Sequence, residues 1–268
     1  MHKKVHSEAH GKVILIGEHS VVYHYGALVA PFNSDKIHVT ISKCEEGIHL
    51  ISSYHTGPLF SIGAPIEGIQ ALVKFFLEKY NYQHESFQIE IKSTLLSRRG
   101  LGSSAAVAKA LGEGLFKYFD LRFDSEDLTK LINVSELVYH ARPSGIDMNA
   151  VMNQNLLYYK DGSFKVVKPK FKLHIVVVDS GKPSRTRNSV AEVAAKVAKD
   201  DQEVLAHLKA LGELADTAYD NLEHGRLELF ARALKTSQIH LSAIGVSSPE
   251  LDRLIDLAYL NDALAAKL

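Results

Sequence analysis

A loop rich in glycine and serine, Arg99 to Ala106, constrains this chain more than any other feature of its sequence. It reads RGLGSSAA and joins an alternating apolar segment at Phe87–Ile91 to a run of helical periodicity at Ser103–Phe119. Glycines let a backbone turn tightly and approach a ligand, and the unpaired N–H groups that open a helix attract phosphate. The order strand, glycine turn, helix therefore indicates a phosphate-binding loop. The alternative is a turn that only lets a helix of small residues pack closely.

The loop differs from the two most familiar nucleotide-binding motifs. The pattern G-x-x-x-x-G-K-[ST] does not occur in the sequence. In the dinucleotide motif G-x-G-x-x-G the third glycine would be Ala105 here, and no acidic residue follows at the end of an evident second parallel strand. We therefore expect a phosphate cradle of a different construction.

Hydrophobic periodicity predicts an α/β chain. In the first half it predicts three short strands and one helix, at Val13–Ile16, Ile37–Ser42, Phe87–Ile91 and Ile66–Tyr80. A further helix, capped by Asp124, is expected to direct Leu128, Leu131 and Leu137 toward the core.

The second half changes in character near residue 170. Leu173–Val178 is apolar except for His174 and is expected to form a buried strand. After it the composition becomes rich in alanine, leucine and charge, with helical spacing to the end. A length of 268 residues is comfortable for two domains, and we expect them at 1–170 and 171–268.

Composition excludes several classes of function. The 31 basic residues equal the 31 acidic residues, so no overall charge attracts nucleic acid. Cys44 is the only cysteine, which excludes an intrachain disulfide and fits a reducing compartment. We therefore expect a cytoplasmic protein. The apolar runs are too short to cross a bilayer, so no membrane partner is expected.

Three motifs together resemble the mevalonate kinases of the GHMP small-molecule kinase superfamily. They are GKVILIGEHSVVY at Gly11–Tyr23, the loop at Gly100–Ala106, and PSGID at Pro143–Asp147. The resemblance implies an α/β (α+β) GHMP kinase fold, with an N-terminal ATP-binding domain like ribosomal protein S5 and a ferredoxin-like C-terminal domain. Ala265–Leu268 resembles the lead-in to a third, glycine-rich motif, so the C-terminal domain is expected to be incomplete.

The resemblance implies ATP-dependent phosphorylation of mevalonate to 5-phosphomevalonate, on the route to isoprenoids, by direct in-line transfer. It assigns Asp147 as the base and Lys12 as its electrostatic partner. A carboxylate can accept the proton of an alcohol, and an adjacent ammonium keeps it ionised and neutralises phosphoryl charge. The alternatives are a turn or helix-cap aspartate for Asp147 and a solvated strand edge for Lys12.

The same resemblance implies two ligands of the phosphate-transfer site, ATP and Mg²⁺. The residues expected to bind ATP phosphates are Arg99, Gly100, Leu101, Gly102, Ser103, Ser104 and Ala105. Ser104 and Glu136 are expected to hold the metal, since hard oxygen ligands suit magnesium. For Glu136 the alternative is an exposed charge on a helix.

The expected acceptor substrate, mevalonate, is assigned by resemblance to four residues: Glu18, His19, Ser144 and Thr186. A basic residue among Lys182, Arg185 and Arg187 would bind its carboxylate, and the sequence does not choose between them. Homodimers are common among such kinases, so a homodimer stays open.

Two other functions stay open at this stage. One is a GHMP kinase acting on phosphomevalonate, homoserine or a sugar, because the ATP-binding residues are shared and only the acceptor pocket differs. The other is a catalytically silent regulator that binds a metabolite.

Overall fold

The computed structural model describes residues 3–63, 65–96, 99–139, 145–181 and 186–268, with side chains from residue 189 onward in the last range. The chain divides into two compact units, each assembled from separate segments. The first unit comprises Met1–Lys12, Pro31–Ser97 and Leu101–Gln154. The second unit comprises Val13–Ala30, Arg98–Gly100 and Asn155–Leu268.

The secondary structure of the described residues mixes strands and helices. The strands are β1 (Lys4–Ile16), β2 (Ala27–Lys43), β3 (Ile48–Ile51), β4 (Thr56–Pro58), β5 (Phe87–Ser93), β6 (Leu156–Lys160) and β7 (Ser163–Val167). The α-helices are α1 (Glu67–Tyr80), α2 (Ser103–Tyr118), α3 (Ser125–Tyr139), α4 (Ile146–Met152), α5 (Thr186–Ala198), α6 (Gln202–His224), α7 (Leu227–Ala243) and α8 (Pro249–Leu260). A single 3-10 turn, Ser20–Tyr23, follows β1.

The first unit packs one face of a sheet against helices. Its strand order is β4-β3-β5-β2, in which β3 and β5 are parallel and the other two pairs are antiparallel. Side chains alternate across a strand, so Ile37, Val39 and Ile41 of β2 all enter the core. In β5, Ile91 lies opposite Val39 and Ile89 lies opposite Ile41. Helices α1, α2 and α3 contribute to the same core cluster. Each such buried aliphatic side chain stabilises the fold by about 1.5–3 kcal/mol.

The described part of the second unit contains two core clusters. In one, Leu28 of β2 pairs in register with Tyr158 of β6, and both pack with Ala215, Ala218 and Leu222 of α6. The other cluster joins α5, α6 and α7 around Val193, Val204, Leu208, Leu211, Leu241 and Ile244. Strand β6 also pairs with β7 in an antiparallel hairpin.

The periodicity of the first half predicted the elements well. The expected strands lie within β1, β2 and β5. Two expected helices correspond to α1 and α2 within one residue at each end, and the helix expected after Asp124 corresponds to α3. The compact units interleave along the chain instead of meeting at one boundary near residue 170. The reason is that β1 and β2 are long, and the two ends of each strand belong to different units.

Among the described helices, none has the length and apolar character needed to cross a membrane.

The prediction that Leu137 points toward the core is wrong. Leu128 and Leu131 are buried as expected, but Leu137 is 57% exposed. An α-helix has 3.6 residues per turn, so a residue nine positions after Leu128 lies about half a turn away from it. Leu137 therefore faces the opposite side of α3.

The prediction of a buried strand at Leu173–Val178 is also wrong. The segment contains no β-strand, and Val176 and Val178 are 85% and 59% exposed. A buried strand needs neighbouring strands and covering layers, and none of the strands in the described ranges pairs with this segment. Only Leu173, which packs against the first core cluster of the second unit, is held by apolar contacts there.

Candidate active site

The phosphate loop enters helix α2 through two glycines in the left-handed region. Gly100 has φ 74° and Gly102, the N-cap of α2, has φ 68°. Gly102 offers no side chain to cap the helix, and the first turn of α2 contains no acidic residue. The backbone N–H groups of Ser103, Ser104 and Ala105 therefore present the positive end of a 16-residue helix without a competing carboxylate in that turn.

Lys12 and Asp147 lie together in the first unit. Lys12 Nζ is 2.9 Å from Asp147 Oδ1, and only 6% of the Lys12 side chain is exposed. Lys12 lies on β1 and donates its backbone N–H to the Leu101 carbonyl at 2.9 Å, which ties it to the start of the phosphate loop. Asp147 stands in the first turn of α4, after Gly145 at φ 74°. Burial of Lys12 contradicts the alternative of a solvated strand edge.

Ser104 and Glu136 form the second pair of expected site residues that the fold brings into contact. Ser104 Oγ donates a hydrogen bond to Glu136 Oε1 at 2.5 Å. Glu136 lies on α3 and is 4% exposed, which contradicts the alternative of an exposed helix charge. The pair offers one hydroxyl and one carboxylate at the N-terminus of α2, a donor set that fits magnesium when phosphate oxygens and water complete the shell. Within the described residues no cluster of three or more His, Cys, Asp or Glu side chains could hold a metal by itself.

Arg99 has a carboxylate partner within the second unit. Its Nε lies 2.8 Å from Asp179 Oδ1. The same nitrogen is buried without a well-directed hydrogen bond to an acceptor in the described chain, so the contact is an ion pair of imperfect geometry.

Glu18 and His19 occupy a tight turn of the second unit. His19 has φ 62°, an uncommon backbone conformation for a residue other than glycine, and Val21 N–H donates to Gly17 O at 3.0 Å across the turn. Burial lowers the pKa of His19. Glu18 Oε1 contacts Lys267 Nζ, and the two side chains are 13% and 8% exposed.

The remaining residues expected to bind substrate cannot be located. Ser144, Lys182 and Arg185 lie outside the described residues, and the side chains of Thr186 and Arg187 are not described although Thr186 begins α5. Lys267 was not among the residues predicted from the sequence, and it lies 249 positions from its partner Glu18. No local pattern links two charges at that separation.

Comparison with known proteins decides the family. Residues 68–154 match the GHMP kinases N terminal domain. A curated mevalonate kinase from Aeropyrum pernix is 30% identical over 284 aligned positions, covering 100% of this chain and 86% of the relative. The chain belongs to the mevalonate kinase family of GHMP kinases. Membership of the mevalonate kinase family makes the chain a kinase, an enzyme class that uses ATP.

Solved structures agree with this membership. The structure of mevalonate kinase from methicillin-resistant Staphylococcus aureus MRSA252 has 28% identity and a TM-score of 0.72, covering 99% of this chain and 86% of that one. The structure of L. major mevalonate kinase in complex with R-mevalonate has 23% identity and a TM-score of 0.82, covering 100% and 84%. The expected GHMP kinase fold is confirmed.

Proposed function

We propose that this kinase transfers the γ-phosphoryl group of ATP to mevalonate and forms 5-phosphomevalonate, a step toward isoprenoids. One observation carries the proposal most directly. A buried lysine, Lys12, and a partly exposed carboxylate, Asp147, lie 2.9 Å apart beside the loop that opens α2. An alcohol kinase needs a base and a positive charge close to a phosphate cradle.

In the proposed reaction the acceptor hydroxyl attacks the γ-phosphorus in line with the leaving oxygen. A bond forms between the acceptor oxygen and the γ-phosphorus, the bond from that phosphorus to the β,γ-bridging oxygen breaks, and ADP leaves. The hydroxyl proton passes to Asp147. Lys12 keeps Asp147 ionised and neutralises charge on the phosphoryl oxygens. Most of the acceleration then comes from positioning and charge, with no phosphoenzyme.

The phosphates of ATP would bind at the first turn of α2, where Ser103, Ser104 and Ala105 present backbone N–H groups. Ser104 and Glu136 would hold Mg²⁺, because their oxygens are adjacent and hard. When bound, magnesium neutralises phosphate charge. Glu18 and His19, with Ser144 and Thr186, would position mevalonate.

Replacing Asp147 tests the proposed base. Asp147→Asn keeps the shape of the side chain but removes the proton acceptor, so kcat with mevalonate is expected to fall by about 10²–10⁴-fold. The measurement is ADP release coupled to a dehydrogenase, with mevalonate as acceptor. Asp120→Asn is the matched control, because the Asp120 side chain is 81% exposed and asparagine accepts its positive φ of 52°.

Two results would contradict the proposal. If Asp147→Asn retained wild-type turnover, Asp147 would not be the base. If ADP were released with phosphomevalonate, homoserine or a sugar, but not with mevalonate, the acceptor assignment would be wrong.

A further inference from the structure

The end of the described chain is fastened on both sides of Lys267. Before it, Ala266 N–H and the Ala266 carbonyl each lie 3.2 Å from the Tyr259 hydroxyl of α8. After it, Leu268 N–H donates to Gln238 Oε1 of α7 at 3.0 Å, and the Leu268 side chain packs against the second core cluster of the second unit. The backbone at Lys267 is therefore held in one place.

The Lys267 side chain is directed at Glu18. Its ammonium contacts Glu18 Oε1 and donates a second hydrogen bond to the backbone oxygen of Leu268 at 2.7 Å. Burial lowers the pKa of Lys267 to about 7. A buried charge pair of this kind constrains both side chains, because moving one of them would leave the other buried with an uncompensated charge.

The other carboxylate oxygen of Glu18 has no such partner. Glu18 Oε2 is buried and accepts no hydrogen bond from the part of the chain that the structure describes. A buried acceptor left unsatisfied is costly, and in native proteins it calls for an explanation such as a role at a binding site. Lys267 thus engages one oxygen of Glu18 and leaves the second available as an acceptor.

We propose that Lys267 is a positioning residue, which holds Glu18 oriented so that Glu18 Oε2 accepts a hydrogen bond from a hydroxyl of the acceptor substrate. The inference rests on the proposed function, because it takes that substrate to be mevalonate. Lys267 acts through Glu18 and does not touch the reacting atoms.

The test separates recognition of mevalonate from recognition of ATP. Lys267→Met removes the ammonium but keeps an unbranched chain, and should raise the KM for mevalonate about tenfold or more while the KM for ATP stays within about twofold. Lys267→Arg retains the charge and should recover part of the loss. Lys209→Met is the control, because Lys209 is 67% exposed and pairs with Glu213 on the surface of α6.

A double variant keeps the test valid if Lys267→Met fails to fold. Glu18→Gln combined with Lys267→Met buries no charge, so it should fold even where the single variant does not. We expect the folded double variant to have the same raised KM for mevalonate as Glu18→Gln alone, because Lys267 acts only through Glu18. If Lys267→Met raised the KM further in the Glu18→Gln background, Lys267 would act independently of Glu18, and that result would overturn the inference.

The remaining outcomes distinguish the two proposals. A wild-type chain that phosphorylates mevalonate, with an unchanged KM in Lys267→Met, would overturn the positioning role alone. A wild-type chain that neither binds mevalonate in calorimetry nor phosphorylates it would overturn the proposed function, and the positioning role with it.

Discussion

Gly102 lies against the aliphatic part of the Lys12 side chain. A Cβ atom at this position would be 2.8 Å from Lys12 Cγ and 3.3 Å from Lys12 Cε. Real Cβ atoms do not approach other atoms so closely, so a side chain at position 102 must displace Lys12. The glycine therefore has two purposes: it adopts φ 68° at the N-cap of α2, and it leaves room for the lysine.

Substitution of Gly102 should affect turnover more than stability. Gly102→Ala is expected to lower kcat/KM by about tenfold or more, since small misplacements of reacting groups are costly. Gly162→Ala is the control: Gly162 has φ 76° but open space around it, so both variants carry about 1–2 kcal/mol of backbone strain and only one displaces Lys12. Steady-state kinetics and urea unfolding of both variants check this. Equal losses of activity would contradict the explanation.

His10 gives the stability of the chain a defined pH dependence. Burial lowers the pKa of His10, with Lys109 and Lys36 acting in the same direction and the backbone of Gly11 and Asn153 opposing. Below the ordinary pKa of 6.5 the unfolded chain binds a proton at this residue that the folded chain does not. The unfolded state then holds more protons, so stability falls as pH decreases through this window.

A substitution at His10 should flatten that dependence. Asparagine can replace the Nδ1 contact to the Gly11 carbonyl, which is 2.8 Å in the wild type, but it does not titrate. His10→Asn should reduce the slope of unfolding free energy against pH, in the range just below the ordinary pKa of 6.5, by up to about 1.4 kcal/mol per pH unit. Urea unfolding at several pH values measures the slope, with exposed His84→Asn as the control. An unaltered slope in His10→Asn would contradict the prediction.

The sequence predicted the contacts of individual residues only where those residues belong to a motif. The pairing of Lys12 with Asp147 was predicted from the resemblance, because both residues belong to recognisable segments. The resemblance did not reveal the contact between Lys267 and Glu18. That pairing depends on how α7, α8 and the residues after them fold back, and no local spacing contains this information.

At the scale of elements, hydrophobic periodicity predicted correctly those helices and strands that pack against other elements of the same core cluster. Helices α1 and α2 and strands β2 and β5 bury the faces that their apolar positions define. It failed at Leu173–Val178, because an apolar run indicates what a segment would bury and not whether a partner is present. The same segment is exposed and rich in β-branched residues.

The exposed part of this segment, Ile175–Val178, should promote self-association. Extended apolar segments without a neighbouring strand can pair with other chains. Val176→Lys should reduce concentration-dependent light scattering and change unfolding free energy by less than about 0.5 kcal/mol, since Val176 is 85% exposed. Leu260→Lys is the control, because Leu260 is 81% exposed but ends helix α8. Equal effects of the two variants would mean that added charge alone explains the change.

At the scale of the whole molecule, the two units differ in which parts of the sequence supply their core residues. Among the described residues, the buried members of the first unit's core cluster run from Ala9 to Val151. The second unit instead takes Leu15, Ile16 and Leu28 from the N-terminal part of the sequence and packs them with α6 and α7. The composition of the sequence could not predict that N-terminal residues join the core of the second unit, because these residues belong to strands that also form part of the first unit.

Cutting the chain at residue 170 tests this difference. Fragment 171–268 lacks Leu15, Ile16 and Leu28, and also the core residues Leu156, Tyr158 and Val167 of β6 and β7. A large apolar side chain contributes about 1.5–3 kcal/mol when fully buried, against a total stability of about 5–15 kcal/mol for a typical domain. The fragment should show no cooperative thermal transition by circular dichroism. Fragment 1–170 contains the whole core of the first unit and should melt cooperatively. Cooperative melting of 171–268 with slow amide exchange would mean that this segment is a domain by itself and that the missing strand residues are dispensable.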